Sequence, residues 1–480
     1  MKEKPLVVDL DGTLIKTDLL FESVNAFIGK NPLRLGALIS WSIKGKCKLK
    51  EILAENVNID PSSLPYNEEV IEWLKLKKKE GRYLILATGA NRKFANQISN
   101  YLGLFDEVYS SDGGTNLISE AKRDKLIDKF GHFGFDYVGD SKKDRPIWAV
   151  SDKAYIVSSS KKNTDLIKKN KKIDGIFEVP TKNKVFLNTL IAMRPYQWSK
   201  NLLIFVPIFV AGMYGNHSSL ILSITAFFIF SITASSIYLF NDLVDINNDR
   251  LHSRKKTRPF ASGNLSIFLG WILWPSLLFL SLTFSIVFLP NNFTYTLIVY
   301  IFFTFSYTLY LKKQPIVDVM ALASLYTLRI IAGAEAITAP LTFWLLSFSV
   351  LIFLSLAFIK RFSELKNARN SGNAKKINGR GYTGDDLEIV SAMGVSSGYL
   401  SILVFALYIQ GYTTVYMYHT PSILWLACLL LLFWISRMWL IAHRGDMHDD
   451  PIVFALKDRV SWFVGILFVI AFCTAKYFHE

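Results

Sequence analysis

The sequence is divided into two parts of opposite character. The first 190 residues hold most of the acidic side chains and many of the lysines, whereas the remainder is built from long apolar runs. A helix needs about 20 mostly apolar residues to cross the hydrocarbon core of a bilayer. The chain therefore predicts an N-terminal domain outside the membrane, followed by an all-α domain of membrane-spanning helices.

The second part predicts nine spans. They lie near residues 201–214, 220–240, 265–289, 293–311, 317–336, 342–359, 393–411, 421–441 and 460–478. Basic or charged loops, such as 250–259, alternate with loops that contain no Lys or Arg, such as 411–422. The positive-inside rule then places the N-terminal domain and the charged loops in the cytoplasm. We expect a multi-pass protein of the cell membrane with its C-terminus outside.

The overall charge and the cysteines exclude several classes of protein. The formal net charge is +15, and loops that face anionic lipid account for most of it, so we expect no nucleic-acid partner. Cys47, Cys428 and Cys473 are widely separated, which indicates neither a disulfide framework nor a zinc site. The first ten residues contain no apolar core of signal-peptide length.

Short apolar segments alternate with helical patterns in the N-terminal part. Segments 5–10, 83–88, 135–140 and 153–158 read as buried strands, and "IFEVP" as a last one. This alternation predicts an α/β Rossmann-like domain with a parallel sheet, whose ligands lie at the carboxyl ends of the strands. We place this domain at residues 1–185, with a helical, partly membrane-contacting cap near 19–66, and the membrane domain at 186–480.

The first predicted strand ends in "DLDGTLIKTD". Asp9 and Asp11 are two residues apart and leave the strand on the same side, and Gly12 permits a tight turn. Two carboxylates this close repel each other unless a cation lies between them. Mg²⁺ suits such a site because it takes few carboxylates and completes its shell with water and phosphate.

Three later segments complete a pattern that resembles the haloacid dehalogenase superfamily. They contain Thr88 in "LATG", Lys122 in "EAKRDKL", and Asp140 and Asp144 in "VGDSKKD". The resemblance implies a phosphatase in which Asp9 is the nucleophile and Asp11 the general acid and base. Thr88 and Lys122 would hold the phosphoryl oxygens, and Asp9, Asp11 and Asp140 would bind Mg²⁺ with support from Asp144.

A second acidic motif, "NDLVDINNDR", follows the apolar run at 220–240. Asp242, Asp245 and Asp249 are spaced i, i+3, i+7, which places them on one face of a helix. Carboxylates at a membrane helix are costly unless they are paired or bind metal. We therefore expect Mg²⁺ ions that bridge to a diphosphate, with Asn241 adding a ligand or orienting one. The basic residues that would neutralise the phosphates follow at once: Arg250, Arg254, Lys255, Lys256 and Arg258.

This motif resembles NDxxDxxxDR of the UbiA-type polyprenyltransferase superfamily. "RPYQWSKN" at 194–201 is similar to the entry segment of that superfamily, and its Lys200 would reach a phosphate. The resemblance covers about residues 190–480. It implies nine transmembrane helices around a cytoplasm-facing pocket with lateral access for lipid.

One departure from that superfamily narrows the expected substrate. Lys360, Arg361 and Glu364 stand where its aromatic prenyltransferases carry a second Asp-rich motif. This departure resembles the decaprenyl-phosphate phosphoribosyltransferase branch, as do the segment containing Arg329 and "GRGYTGDDL" at 379–387. The resemblance implies transfer of 5-phosphoribose from phosphoribosyl pyrophosphate to polyprenyl phosphate, with Arg329, Lys360, Arg361 and Glu364 binding substrate.

The fusion suggests a second step, and alternatives stay open. The N-terminal phosphatase would remove the 5-phosphate to give polyprenyl-phosphoryl ribose, or it would act on an unrelated substrate. The membrane part could instead prenylate an aromatic or other small acceptor, or be a transporter or channel gated by the N-terminal domain. The loop with His443, Asp446, His448, Asp449 and Asp450 could bind metal, although a structured loop is the simpler interpretation. The lipid chain length is not determined, and neither is the oligomeric state, so that a homo-oligomer is not excluded.

Overall fold

A computed structural model describes most of the chain. The described residues are 3–30, 34–112, 114–158, 173–178, 185–252, 254–370, 381–411, 418–447 and 450–477. Residues 379 and 380 of the "GRGYTGDDL" stretch, and His448 and Asp449, lie outside them. The chain divides into two compact units. The first comprises Met1–Met193 and Tyr238–Pro275, and the second comprises Arg194–Ile237 and Ser276–Glu480.

The first unit contains a six-stranded sheet in which all neighbouring strands are parallel. The strands are β1 Leu6–Val8, β2 Leu84–Asn91, β3 Glu107–Ser111, β4 Asp136–Gly139, β5 Ala154–Ser158 and β6 Ile173–Glu178, in the order β3-β2-β1-β4-β5-β6. The predicted parallel α/β architecture is confirmed. Strand β3 was not predicted, because most of its residues are only half-buried and the segment has no continuous apolar run.

Helices cover both faces of this sheet. Leu6 and Val8 of β1 pack in one apolar cluster, and Val7 between them packs in another, so the strand is buried on both sides. The helices are α1 Leu19–Lys30, α2 Leu35–Ile43, α3 Lys46–Asn56, α4 Glu68–Lys79, α5 Arg92–Leu102, α6 Glu120–Phe130, α7 Arg145–Val150 and α8 Val185–Met193. Residues 19–66, predicted as a cap, are largely helical.

The rest of the chain is helical in the described residues. A 3₁₀ segment, Pro195–Phe205, leads into α9 Val206–Val210. The later helices are α10 His217–Val244, α11 Ile246–Leu251, α12 Ile267–Phe288, α13 Asn291–Leu309, α14 Val317–Ala336, α15 Phe343–Asn370, α16 Leu387–Ile409, α17 Leu424–Arg444, α18 Pro451–Lys457 and α19 Arg459–Tyr477.

Seven helices of the described residues are long and apolar enough to cross a membrane, namely α10, α12, α14, α15, α16, α17 and α19. Two of the nine predicted spans are not among them. Residues 201–214 form part of the 3₁₀ segment and the short α9, and α13 is rich in Asn, Thr and Tyr. The protein is a multi-pass membrane protein, and the count of nine spans stays a prediction.

A glycine lets α14 pack directly against the 3₁₀ segment. A Cβ atom placed on Gly333 would overlap the backbone oxygen of Ile204. Small residues permit such close approach of backbones in membrane proteins. The same contact is strengthened by Arg329, whose Nε donates to Oδ1 of Asn201 at 2.9 Å.

We predict that Gly333→Ala destabilises the membrane unit. The added methyl group meets a backbone atom that cannot rotate away, and such overpacking costs about 1–3 kcal/mol. Gly465→Ala on α19 is the matched control, because no heavy atom lies within 4 Å of the position that its added methyl group would occupy. Thermal unfolding in detergent should show a lower midpoint for Gly333→Ala alone. Equal midpoints for the two variants would contradict the close contact.

Candidate functional site

The order of the strands creates a crevice at the carboxyl edge of the sheet. After β1 the chain builds β2 and β3 on one side of it, then crosses to β4 on the other side. The loops that follow β1 and β4 therefore diverge, which leaves room for a ligand. Asp9 directly follows β1 and Asp140 directly follows β4, as their sequence positions predicted.

Lys122 of α6 links the buried acids of this crevice. Its Nζ lies 2.8 Å from Oδ1 of Asp9 and donates to the hydroxyl of Tyr137 at 3.1 Å. Tyr137 in turn donates to Oδ1 of Asp144 at 2.8 Å. Burial opposes the charged form of Lys122, but the carboxylates of Asp9 and Asp144 outweigh it and raise the pKa of the ammonium. Lys122 is therefore cationic at neutral pH.

Three acids form a compact cluster beside this lysine. Oxygens of Asp9, Asp140 and Asp144 lie within 4.8 Å of one another, and no other such acidic group occurs in the part of the chain that the structure describes. Burial raises the pKa of Asp9 to about 6 despite Lys122. Burial, together with the charges of Asp9 and Asp144, raises the pKa of Asp140 to about 8. Clustered carboxylate oxygens with raised pKa values are a donor set that fits Mg²⁺.

Asp11, which was predicted to bind the metal ion with Asp9 and Asp140, lies outside this cluster. Asp144 is the third member instead. Oδ1 of Asp11 accepts a hydrogen bond from the backbone N–H of Leu19 at 2.9 Å, at the start of α1. Burial and the charge of Asp18 raise the pKa of Asp11 to about 8. Thr88 is fully buried in β2, and its Oγ1 accepts from the N–H of Ala90 at 3.0 Å.

Gly12 is required between these acids. Its φ angle is +79°, and a Cβ atom there would overlap Oδ2 of Asp140. Any other residue would be strained and would displace that carboxylate.

The acids open into a cavity of about 430 Å³. Lys50 of α3 and Lys143 line it together with the acids, so the walls carry positive charge beyond Lys122. Leu265, Ser266 and Ile267 also line it, and Ile267 is the first residue of α12, a candidate membrane span.

Residues 241–250, here called the acidic segment, differ from the single helix that was predicted. Helix α10 ends at Val244 and α11 begins at Ile246, with Asp245 at the junction. Asp242 and Asp249 are both 2% exposed and share one cation. Nη1 of Arg258 lies 3.1 Å from Asp242 and 2.5 Å from Asp249. The convergence of these two acids was expected, but an arginine joins them.

The remaining members of this motif have different surroundings. Asp245 and Asn241 are half-buried, and the N–H of Asp245 donates to the backbone oxygen of Asn241 at 2.9 Å. Lys256 is exposed. The side chain of Arg250 is 5% exposed, and its guanidinium forms two hydrogen bonds with Glu22 of α1. The structure thus places Arg250 in an ion pair within the protein, where phosphate binding had been predicted.

Two of the predicted substrate-binding lysines of the second unit meet at one carboxylate. Lys200 and Lys360 place their Nζ atoms 2.9 and 3.0 Å from the same oxygen of Asp450. The hydroxyl of Tyr326 lies 3.4 Å from both Asp450 oxygens. Burial alone would raise the pKa of Asp450, but Lys360 and Lys200 outweigh it and hold that pKa well below its usual range. Two ammonium groups against one carboxylate leave the cluster with an excess of positive charge.

Arg329 is buried on α14 beside three aromatic rings. Its guanidinium lies 5.1–5.4 Å from the ring centres of Phe230, Tyr300 and Tyr326, and Nη2 donates to the hydroxyl of Tyr300 at 3.2 Å. These cation–π contacts stabilise the buried guanidinium.

Arg361 is completely buried in a network of protein groups. Nε donates to Asp318, Nη1 binds Glu364, and Nη2 donates to the hydroxyl of Tyr307 at 3.4 Å. Asp318 also accepts from Tyr382 at 2.7 Å. These contacts favour a structural role for Arg361 and Glu364 over the substrate contact that the sequence predicted for them.

The comparison with known protein families decides the class of the membrane part. Residues 201–463, more than half of the chain, match the UbiA prenyltransferase family. The chain belongs to this family. The matched region includes the acidic segment and Lys360, and it begins one residue after Lys200.

Three relatives are similar to this chain. Uncharacterized protein y4nM of Sinorhizobium fredii is 35% identical over 99% of this chain and 91% of its own length, so the similarity extends through the N-terminal part. Nodulation protein NoeC of Azorhizobium caulinodans is 36% identical over 58% of this chain and 89% of its own length. Decaprenyl-phosphate phosphoribosyltransferase of Mycobacterium tuberculosis is 29% identical over 58% of this chain and 90% of its own length.

Sequence reasoning on this UbiA protein missed the position of Asp450. The sequence favours a structured loop there, and the structure makes this acid the centre of a cationic cluster. Its side chain also caps α18, because Oδ1 accepts from the N–H of Ile452 at 3.2 Å. The Asp–Pro pair before an apolar run was a capping signal, but only the fold could show which lysines lie beside it.

We predict that Asp450→Asn destabilises the protein. Asparagine caps a helix as well as aspartate does, so the variant removes chiefly the charge and leaves two neighbouring lysines without a counter-ion. Breaking a buried ion pair in this way costs about 3 kcal/mol. Thermal unfolding should show a lower midpoint, which Lys200→Met added to Asp450→Asn partly restores. Asp446→Asn, at an exposed position, is the control, and an equal shift in both variants would contradict the prediction.

Proposed function

We propose that the UbiA domain transfers 5-phosphoribose from phosphoribosyl pyrophosphate to polyprenyl phosphate. The observation that carries this proposal is that Lys200 and Lys360 meet at the carboxylate of Asp450. They form a cationic cluster that the chain contains besides the acidic segment. A prenyl donor concentrates its charge in one diphosphate. A phosphoribosyl donor and a lipid phosphate bring two further phosphate groups, and these need a second cationic site. The relative named decaprenyl-phosphate phosphoribosyltransferase supports the same choice.

The acidic segment is proposed to bind the leaving diphosphate through Mg²⁺. Asp242 and Asp249 are buried, and both carboxylates already contact the guanidinium of Arg258. Their negative charges would therefore suit a metal cation placed between them. Asp242 and Asp249 would hold Mg²⁺, with Asp245 and Asn241 completing the set. When bound, the ion would neutralise the charge that develops on the diphosphate. The Arg258 side chain is 27% exposed, which leaves it room to turn from the acids to a phosphate.

The cluster around Asp450 is proposed to bind a phosphate monoester. Both Nζ atoms reach the same carboxylate oxygen, so both can reach the oxygens of one phosphate group. A phosphate dianion carries twice the charge of Asp450 and would compete with it for the lysines. An oxygen of the lipid phosphate would then attack C1 of the ribose, and the bond from C1 to the diphosphate would break.

The N-terminal domain is proposed to remove the 5-phosphate from the product. Asp9 would attack the phosphorus and form an aspartyl-phosphate while Asp11 protonates the departing ribose oxygen. Asp11 would then take a proton from the water that hydrolyses this intermediate. Lys122 and Thr88 would hold the phosphoryl oxygens. Asp9, Asp140 and Asp144 would hold Mg²⁺, which when bound neutralises phosphoryl charge.

Two features of this domain support a lipid-linked substrate. Ile267, the first residue of α12, lines the cavity together with Leu265 and Ser266 just before it, so the acids lie next to the start of a candidate membrane span. Lys50 and Lys143 add positive charge for the phosphodiester that such a product carries besides its 5-phosphate. This domain and the charged loops would lie on the cytoplasmic side of the cell membrane, where phosphoribosyl pyrophosphate is supplied.

We predict that Asp242→Asn reduces phosphoribosyl transfer by roughly a hundredfold or more, the scale on which a lost contact to developing charge acts. The measurement is the appearance of labelled ribose in polyprenyl phosphate in the presence of Mg²⁺, with Asp446→Asn as the control. If wild-type protein ignores phosphoribosyl pyrophosphate but transfers the lipid of a polyprenyl diphosphate to an aromatic acceptor, the prenyltransferase alternative is correct. Absence of Mg²⁺-dependent pyrophosphate release from both donors would favour a transporter.

For the N-terminal domain we predict that Asp9→Asn lowers phosphate release from polyprenyl-phosphoryl 5-phosphoribose by roughly a thousandfold, as expected when a nucleophile is lost. Asp124→Asn, an exposed acid on α6, should behave as wild type. Ribose 5-phosphate should be a poorer substrate than the lipid. Equal release by wild type and Asp9→Asn would refute the pairing of the two steps, and a preference for the soluble substrate would indicate a scavenging phosphatase.

A further inference from the structure

Helix α1 of the N-terminal domain contacts the acidic segment directly. Phe21 packs against Phe268 of α12 with ring centres 5.0 Å apart. Gly29 approaches the end of α10, where an added Cβ atom would lie 3.8 Å from the backbone oxygen of Val244. Two polar side chains of α1, Glu22 and Asn25, are 4% and 3% exposed. Both bind groups within the acidic segment.

Glu22 fixes Arg250 at the end of the acidic segment. Its two oxygens accept from Nη1 and Nη2 of Arg250 at 3.1 and 2.6 Å, and Nε of Arg250 donates to the backbone oxygen of Ala261 at 3.1 Å. A two-point contact between a carboxylate and a guanidinium fixes direction as well as distance. Arg250 follows Asp249 in the chain, so its orientation restricts the backbone of Asp249.

Asn25 fixes the end of α10. Its Nδ2 donates to the backbone oxygen of Leu243 at 2.7 Å, and its Oδ1 accepts from Nε1 of Trp271 at 3.1 Å. The last carbonyl groups of a helix lack partners within the helix, and a buried one needs a donor from elsewhere. Asn25 supplies this donor between Asp242 and Asp245, at the point where α10 ends and the chain turns toward Arg258.

We infer that α1 of the N-terminal domain is part of the transferase site, and that Glu22 and Asn25 are positioning residues for Asp242 and Asp249. Both act through backbone or arginine contacts and touch no substrate. The inference rests on one part of the proposed function, namely that the acidic segment binds Mg²⁺ and a diphosphate. It holds equally for a phosphoribosyl or a prenyl donor.

The test is a double-mutant cycle. The quantity measured is the affinity for inorganic pyrophosphate, at a fixed Mg²⁺ concentration, of the full-length protein in lipid nanodiscs. The variants are Glu22→Gln, Arg250→Gln and the two combined, with Glu69→Gln on α4, an exposed acid, as the control. We expect each single variant to bind about tenfold more weakly, the scale on which groups that orient metal ligands act. The double variant should lose no more than either single one, because the two side chains act as one unit.

A further variant tests the inference independently in case the substitutions at Glu22 or Arg250 impair folding. Asn25→Asp retains an acceptor for Trp271 but places a carboxylate against the oxygen of Leu243, and it should also weaken pyrophosphate binding about tenfold. Thermal unfolding of each variant identifies those that are misfolded.

Three results would overturn the inference. Glu22→Gln and Asn25→Asp could bind pyrophosphate as the control does. Arg250→Gln alone could lose affinity, which would mean that Arg250 contacts the phosphate itself. The losses could multiply to roughly a hundredfold in the double variant, which would mean that the two groups act independently. If wild-type protein does not bind Mg²⁺ and pyrophosphate at all, both the inference and the proposed role of the acidic segment fail. If it binds them but transfers no phosphoribose, only the proposed substrate fails.

Discussion

The guanidinium of Arg258 lies between Asp242 and Asp249, and this shared cation permits two acids to be buried at the end of a membrane helix. An isolated buried carboxylate is so costly that it would be protonated or exposed. The same requirement shapes the N-terminal crevice, where Lys122 contacts Asp9 within a cluster of acids. In both places buried carboxylates lie next to a cationic side chain, Arg258 or Lys122. Under the proposed function, Mg²⁺ and phosphate, which carry the same two charges, bind at these two places.

The contact between α1 and the acidic segment gives the two proposed reactions a common structural element. The helix begins at Leu19, whose N–H donates to Asp11 in the crevice of the N-terminal sheet, and its next turns carry Glu22 and Asn25. Ile267, the first residue of α12 and close in sequence to the acidic segment, lines the cavity of the N-terminal crevice. A lipid intermediate would therefore meet the second set of acids near the start of a candidate membrane span. A relative from Sinorhizobium fredii is similar over both parts of the chain.

The sequence was sufficient for features that depend on local pattern, and insufficient for those that depend on partners distant in the chain. Alternating strands and helices predicted the parallel sheet, and motif spacing predicted that Asp9 and Asp140 would meet. Half-buried strand β3 had no periodic signal. The end of α10 accepts a hydrogen bond from Asn25, more than 200 residues earlier, and no spacing rule contains this contact. The roles of Asp450 and Arg361 likewise follow from which side chains the fold brings beside them, since a lysine or arginine in a motif looks the same whether it faces a ligand or a buried carboxylate.

The most direct measurement follows two labels through one incubation of wild-type protein in membranes. The donor is phosphoribosyl pyrophosphate with carbon-labelled ribose and a phosphorus-labelled 5-phosphate, supplied with polyprenyl phosphate and Mg²⁺. We expect both labels to enter the lipid together, and the phosphorus label then to leave as inorganic phosphate while the carbon label stays on the lipid. A lipid that never acquires the carbon label would contradict the transferase, and a lipid that keeps both labels would contradict the coupled phosphatase.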